Sequence, residues 1–386
     1  MAAPVMARGF GLPEVIAALV PELDRLGVQT EVACQTTDGL FGGFPIHAEV
    51  EPTAESVLAL ARRVRADAVV AHGSPFFEVL PDLRGKLLTV AYEHGEPPAV
   101  LFDDVEERAR REQYRREHVY GHVDRVVAIS EFIRDEIGWP SAFVIPNGVD
   151  HIPDQGTKAW LPPRDPGQPL RVGLLMRLGQ GESRYKGNDL LPQLRTAADD
   201  IGVQARWEVM GRGSDHDGWL LTSKGFAVHL NATNEERERY LRDIDVFVTL
   251  SKWEGCNLPL LEAQALGTPA LAPDTGAHPE FTPLCFSSLP AMAQQLRAYA
   301  HDPVLLRTHG DMCYRQARAR TWSDAAADLV RVMDTGAHHR RRRLSEVREA
   351  LREKVDIARS LYQEEGPGSV ARVAVRKVTG GGADDD

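Results

Sequence analysis

Cysteine is scarce in this chain of 386 residues. Cys34, Cys256, Cys285 and Cys313 stand far apart, with none of the close spacings that hold zinc or form a redox pair. They read as reduced thiols, so the chain is expected to be cytoplasmic. Long apolar runs are absent, and none approaches the ~20 residues needed to span a bilayer. The opening MAAPVMARGFG lacks the apolar core of a signal peptide. A positive balance is absent too: the formal net charge is −11, which argues against a general nucleic-acid binder. Nor is there a dinucleotide fingerprint. Gly211-Arg212-Gly213 is followed by Ser214-Asp215-His216, without the third glycine that a nicotinamide-dependent oxidoreductase needs.

What is present is an ordinary apolar content at a length suited to two domains. The most informative stretch is Val246–Ala272, VFVTLSKWEGCNLPLLEAQALGTPALA. A short apolar run rich in β-branched residues reads as a buried strand. A turn follows over Ser251–Leu258, and Pro259 stands where a helix tolerates proline, at its start. Leu260, Leu261, Ala265 and Leu266 give that helix a buried face, Gly267 ends it, and Pro269–Ala272 is a second strand. The unit carries one carboxylate in its turn, Glu254, and another a helical turn further in, Glu262. A helix N-terminus offers free N–H groups and the positive end of a dipole, so the amides of Gly255, Cys256, Asn257 and Leu258 could hold a diphosphate. Acids on either side would take sugar hydroxyls, the pattern of a nucleoside diphosphate sugar. Taken alone, the two acids would equally serve as first-turn residues stabilising the helix dipole.

Ser251-Lys252-Trp253-Glu254-Gly255-Cys256-Asn257-Leu258-Pro259 through Glu262-Ala263 resembles the E-x7-E element of retaining glycosyltransferases of the GT-B fold, family 4. Cys256 and Asn257 replace the Phe and second Gly that the family usually has, and Asn tolerates left-handed backbone there. The resemblance runs in order over roughly Gly9–Met333. It implies an α/β fold of two facing Rossmann-like domains with parallel sheets: residues 1–152 on the acceptor side, a linker at 153–169, and a nucleotide-sugar domain at 170–335. Beyond the resemblance, the residues themselves read as a basic helical tail with a disordered end over 336–386. The implied activity is transfer of a sugar from a nucleoside diphosphate sugar to a hydroxyl of a carbohydrate or glycolipid, with retention at the anomeric carbon.

The resemblance also suggests roles residue by residue. Gly9-Phe10-Gly11 precedes an amphipathic helix, and Gly11 matches a Gly-rich loop that touches acceptor or phosphate. The strand before it counts only Val5 and Met6 and is expected to be short. His72-Gly73 and His94-Gly95 follow strands, where ligands gather in open α/β sheets. His94 matches the position that contacts the donor sugar, with His72 its second. Arg177 and Lys186 on a Gly-containing loop match the cations that receive the leaving diphosphate, for which a guanidinium fork and a point charge are suited. Glu254 would hold the donor sugar, Glu262 the ribose, and Gly211 would sit among the base-binding strand ends. Pro146-Asn147-Gly148-Val149-Asp150 is read as the edge of a hinge, and Gly276–Glu280 as a loop reaching the nucleotide side. The segment 103–120, dense in Arg and Glu, is read as a solvated helix.

No cofactor or metal is expected. Asp215-His216-Asp217 imitates a metal-binding D-x-D but reads as a solvated loop, and Asp243-Ile244-Asp245 as structural. Acceptor contacts fall to first-domain loops such as Thr36–Pro45, which carry no readable code. The rival functions are an epimerase on the same scaffold and a non-catalytic nucleotide-sugar-binding protein. A non-catalytic copy would be expected to have lost Lys186 or Glu254, and both are present. The basic tail is able to make weak contact with an anionic membrane, but packing on the body is the expectation.

Overall fold

A computed structural model describes residues 1–158, Asp165, 168–178 and 183–334. The tail at 336–386, the centre of the linker and the loop at 179–182 lie outside the described residues. The first sheet has seven parallel strands: β1 (Ala2–Met6), β2 (Val32–Thr37), β3 (Ile46–His47), β4 (Ala68–Ala71), β5 (Leu88–Glu93), β6 (Arg125–Ala128) and β7 (Phe143–Val144). Their order is β3-β2-β1-β4-β5-β6-β7. The second sheet has six parallel strands: β8 (Leu170–Arg177), β9 (Ala205–Arg212), β10 (Ala227–Leu230), β11 (Val246–Val248), β12 (Ala270–Pro273) and β13 (Cys285–Phe286), in the order β10-β9-β8-β11-β12-β13. Both orders reverse direction at the first strand of their sheet. A crevice opens beyond the strand ends at such a reversal, which is where open α/β sheets place ligands.

Periodicity explains the layers. In the helix Gly11–Arg25 the buried residues Val15, Ile16, Leu19, Val20 and Leu23 form one stripe against the sheet. Strand β5, with helices covering the sheet on both sides, is buried at every position. The first strand departs from expectation: it is complete and central, pairing with β2 from Ala2↔Ala33 to Met6↔Thr37. Pro4 hid it, because proline argues against a central strand. The proline is tolerated because β4 pairs with β1 only at Ala2↔Ala71, so a missing N–H at Pro4 removes no rung on that side.

The 103–120 segment also differs in part. It is helical over Val105–Tyr114 and then widens and tightens through Arg115–His122. Arg108 does make an exposed pair with Asp104, at 2.8 Å. Arg115, however, is buried, donating to Glu96 at 2.7 Å and lying 3.8 Å from Glu93, which also accepts from Tyr120 at 2.5 Å. The acid triplet at 215–217 opens the helix Asp215–Thr222 rather than a loop. Ser214 and Asp217 cap it reciprocally, so Asp217 is engaged by the backbone.

The two domains touch through specific groups. In the loop read as reaching the nucleotide side, Gly276 and Ala277 pack on the backbone of Glu254, while Glu280 at its end accepts from the backbone N–H groups of Glu131 and Phe132 at 2.9 and 2.7 Å. These open the first-domain helix Glu131–Glu136, and the other end of that helix receives Trp253, whose indole N–H donates to Glu136 at 2.7 Å. The chain finally returns to the first domain as a helix over 322–334, which buries Trp322, Ala325, Ala326, Leu329 and Val332 in that domain's core. Gly148 makes the return possible: a Cβ there would lie 2.2 Å from the backbone nitrogen of Trp322. The Asn147–Asp150 turn thus grips the returning chain, with Asp150 accepting from the Trp322 N–H at 2.6 Å.

Gly148→Ala should therefore destabilise the protein by about 1–3 kcal/mol or more, since backbone has to move to admit the methyl group. Urea denaturation reads this directly. An unchanged midpoint would mean that the crossing is looser than described.

Candidate active site

A cleft of about 660 Å³ lies between the carboxyl ends of the two sheets. Its floor is the turn and helix after β11. Asn257 caps the helix Leu258–Ala265, its side chain accepting from the Leu260 N–H at 3.2 Å and donating to Thr249 at 3.1 Å. The helix therefore starts at Leu258, with Pro259 second. Asn257 has φ −89°, so it serves as a cap and not as a left-handed residue. Burial pushes the Cys256 thiol up to about 12, so it fills its place as a neutral group. Gly255 lies against the first domain: a Cβ there would stand 2.4 Å from the carbonyl oxygen of His94.

Charged side chains converge on this floor. Lys186 ends a helical turn, Ser183–Lys186, and its Nζ donates to Glu254 Oε1 at 2.7 Å. The expected sugar-holding acid and phosphate-holding cation are thus paired with each other, as opposite charges in a poorly solvated crevice tend to be. Arg177 ends β8, donates to the Tyr185 hydroxyl at 2.8 Å and lies over the ring of Phe10, 5.2 Å from its centroid. Glu262 is 2% exposed. Burial alone would raise its pKa, but Arg237 at 3.6 Å and His151 at 3.1 Å outweigh it and bring the carboxyl below its ordinary range.

The opposite wall is histidine. His94 follows β5 and His72 follows β4, and the Nδ1 of His72 lies 3.0 Å from the Nε2 of His94. Tyr92 stacks on both rings. Burial pushes His94 down to about 4 and His72 well below the ordinary value, so both are neutral at pH 7. His94 lines the cleft, whereas His72 stands behind it.

Gly11, Arg177, Lys186, Gly211, Glu254, Gly255, Cys256, Asn257, Leu258 and Glu262 line the cleft together with His94. Sequence reasoning passed over His151, which holds Glu262, and Arg237, Asn147 and Arg212, which also face this crevice or its acids. His151 follows directly on Asp150 in a stretch read as hinge. Arg237 sits in a run of alternating acids and bases indistinguishable from a solvated face. Among the described residues no group of three or more His, Cys, Asp and Glu is arranged to hold a metal ion.

Comparison with known families joins the two walls. The model described as Glycosyltransferase Family 4 matches residues 11–151, and that described as Glycosyl transferases group 1 matches residues 176–302. The chain is a glycosyltransferase of the GT-B fold. Solved structures agree on the fold of this glycosyltransferase. A sucrose-phosphate synthase from Thermosynechococcus elongatus superposes with a TM-score of 0.67 at 16% identity, over 86% of this chain and 98% of that one. Anabaena HepE, in complex with UDP and glucose, gives 0.65 at 14% identity, over 86% and 99%. An α,α-trehalose 6-phosphate synthase from Burkholderia multivorans gives 0.61 at 13%, over 88% and 99%. No curated protein sequence matches the glycosyltransferase. Among its described residues, no helix is long and apolar enough to cross a membrane.

Burial of the Glu136 carboxyl beneath Trp253 makes stability depend on pH. Burial, opposed in part by the Trp253 hydrogen bond, pushes Glu136 up to about 7. The folded state then keeps a proton that the unfolded state gives up. Stability from this group is full below about 4.5 and is lost as pH rises through about 7. Glu136→Gln keeps an acceptor for Trp253 and should remove about 1 kcal/mol of that loss, discounted because the carboxyl is partly exposed. Urea melts at pH 5 and pH 8 measure it. Equal losses in both proteins would show that another group titrates.

Proposed function

We propose that this glycosyltransferase moves a sugar from a nucleoside diphosphate sugar to an acceptor hydroxyl, with retention at the anomeric carbon. The observation that carries the reading is the convergence of two cations, a capped helix N-terminus and two acids on one side of a cleft whose other side presents a neutral histidine. That Anabaena HepE, similar in fold, holds UDP and glucose supports this class of donor.

The chemistry follows from charge. As the bond between the anomeric carbon and the diphosphate breaks, negative charge grows on the departing phosphate. Arg177, Lys186 and the amides after Glu254 meet that charge, and preorganised donors of this kind often contribute more to catalysis than any other single effect. Lys186 has to exchange Glu254 for phosphate, which frees Glu254 for the sugar's hydroxyls. Glu262, held ionised by Arg237 and His151, accepts from the ribose. His94, kept neutral, can hydrogen-bond the sugar from the opposite wall without repelling developing positive charge on the ring. The acceptor oxygen forms the new bond on the face the diphosphate leaves, and its proton passes to the departing phosphate. With these cations in place, the reaction is proposed to run without a metal ion or other cofactor. The acceptor is a carbohydrate or glycolipid, and the tail is a candidate for weak peripheral membrane contact.

A thermal-shift panel of UDP, GDP and ADP sugars tests the donor: the right one binds the folded state alone and raises Tm. Lys186→Ala should then lower turnover by about 10²–10³, the cost of losing one oxyanion donor. Near-normal turnover in that variant would move the phosphate site elsewhere, and strong inhibition of the wild type by EDTA would refute metal independence.

A further inference from the structure

Glu262 is the end of a relay that begins in the first domain's core. An indole N–H can only donate, and that of Trp322 points at His151 Nδ1, 2.9 Å away. Nδ1 must therefore present its lone pair, which puts the single proton of the neutral imidazole on Nε2. That nitrogen lies 3.1 Å from Glu262 Oε1, so it donates to the carboxylate. The direction is set throughout: Trp322 to His151 to Glu262.

Both ends of the relay are anchored. Trp322 is 2% exposed, packed in the first-domain core, and its backbone N–H is held by Asp150, the neighbour of His151. Glu262 sits on a helix buried all round, and its second oxygen, Oε2, is buried with no hydrogen-bond partner among the described residues. A buried acceptor without a partner is costly and points to a ligand that donates to it. One oxygen is thus fixed by the relay while the other is left for a hydroxyl.

We propose that His151 is a positioning residue, oriented by Trp322, that aims the Glu262 carboxylate at the ribose of the bound nucleotide. This rests on the nucleotide-sugar reading above and adds that ribose recognition in the second domain depends on the chain's return to the first. Neither His151 nor Trp322 touches the reacting atoms.

The test compares binding of nucleoside diphosphates with their 2′-deoxy counterparts. UDP, GDP and ADP are ranked by thermal shift on the wild type, and the best binder and its 2′-deoxy form are titrated by calorimetry. The wild type should prefer the ribo form by about tenfold, the scale of one hydrogen bond to a charged group. His151→Gln keeps an N–H near the position of Nε2 and should keep the preference. His151→Asn can still accept from Trp322 but cannot reach Glu262, and its preference should fall to about threefold or less. Trp322→Phe frees the imidazole to change tautomer and should fall likewise. A merely structural role would weaken both nucleotides together and leave their ratio unchanged. A full ribose preference in His151→Asn, or a Gln variant as impaired as the Asn variant, would overturn the proposal. If the wild type binds a diphosphate without ribose preference, the proposal fails while the nucleotide reading stands. If it binds none of the three, both fail.

Discussion

The cleft exists because the loop after β11 presses against the end of β5. At Gly255 the second domain approaches the carbonyl oxygen of His94 so closely that a single methyl group would not fit. Trp253 and Leu258, on either side, bury their side chains in the first domain's core. This contact brings Glu254 and its neighbouring cations into the same space as His94. Each group alone is ordinary. Together they surround a volume in which charge can be created and moved with little water to screen it.

Two further grips hold that contact in register. Glu280 caps the start of the helix Glu131–Glu136, and Trp253 donates to the carboxyl at its end. The chain between 148 and 151 clasps the returning helix at Trp322. The residues that lock the domains are sequence neighbours of those that build the site: Trp253 precedes Glu254, and Asp150 precedes His151, which holds Glu262. Domain arrangement and site geometry are therefore not separable in this protein. A change in one shifts side chains only a residue or two away in the other.

Electrostatics in the cleft is a matter of exchange. Lys186 holds Glu254, and Arg237 and His151 hold Glu262, because an uncompensated charge in such a space is costly. A ligand that fits must replace the Lys186–Glu254 pair on both sides and offer a donor to the open oxygen of Glu262, whose other oxygen stays with His151. A diphosphate flanked by hydroxyl-bearing rings offers anionic oxygens to the cation and donors to the acids. This favours the proposed class of donor over a simple anion, which would release Lys186 and leave Glu254 unmatched.

Periodicity and punctuation in the sequence determined most of the strands, the βαβ unit around Glu254 and Glu262, and the order of the two domains, because these depend on side-chain spacing along one segment. The residues expected in the cleft came from the family resemblance. Some of them, Arg177, Gly211 and His94, stand at strand ends, which a doubly wound sheet gathers in one crevice. The complete first strand was hidden by Pro4, whose cost vanishes only because its neighbouring strand has already ended. His151 and Arg237 could not be told from hinge and surface residues, and Arg115 looked like one more solvated cation. Glu280 carried no local sign that it caps a helix of the other domain. In each of these cases the deciding partner lies far away in the chain: Glu262 for His151, Glu93 for Arg115, Glu131 for Glu280. Local sequence sets which groups are offered, but hydrogen bonds and ion pairs form between groups that tertiary packing makes neighbours, and only the folded structure decides which those are.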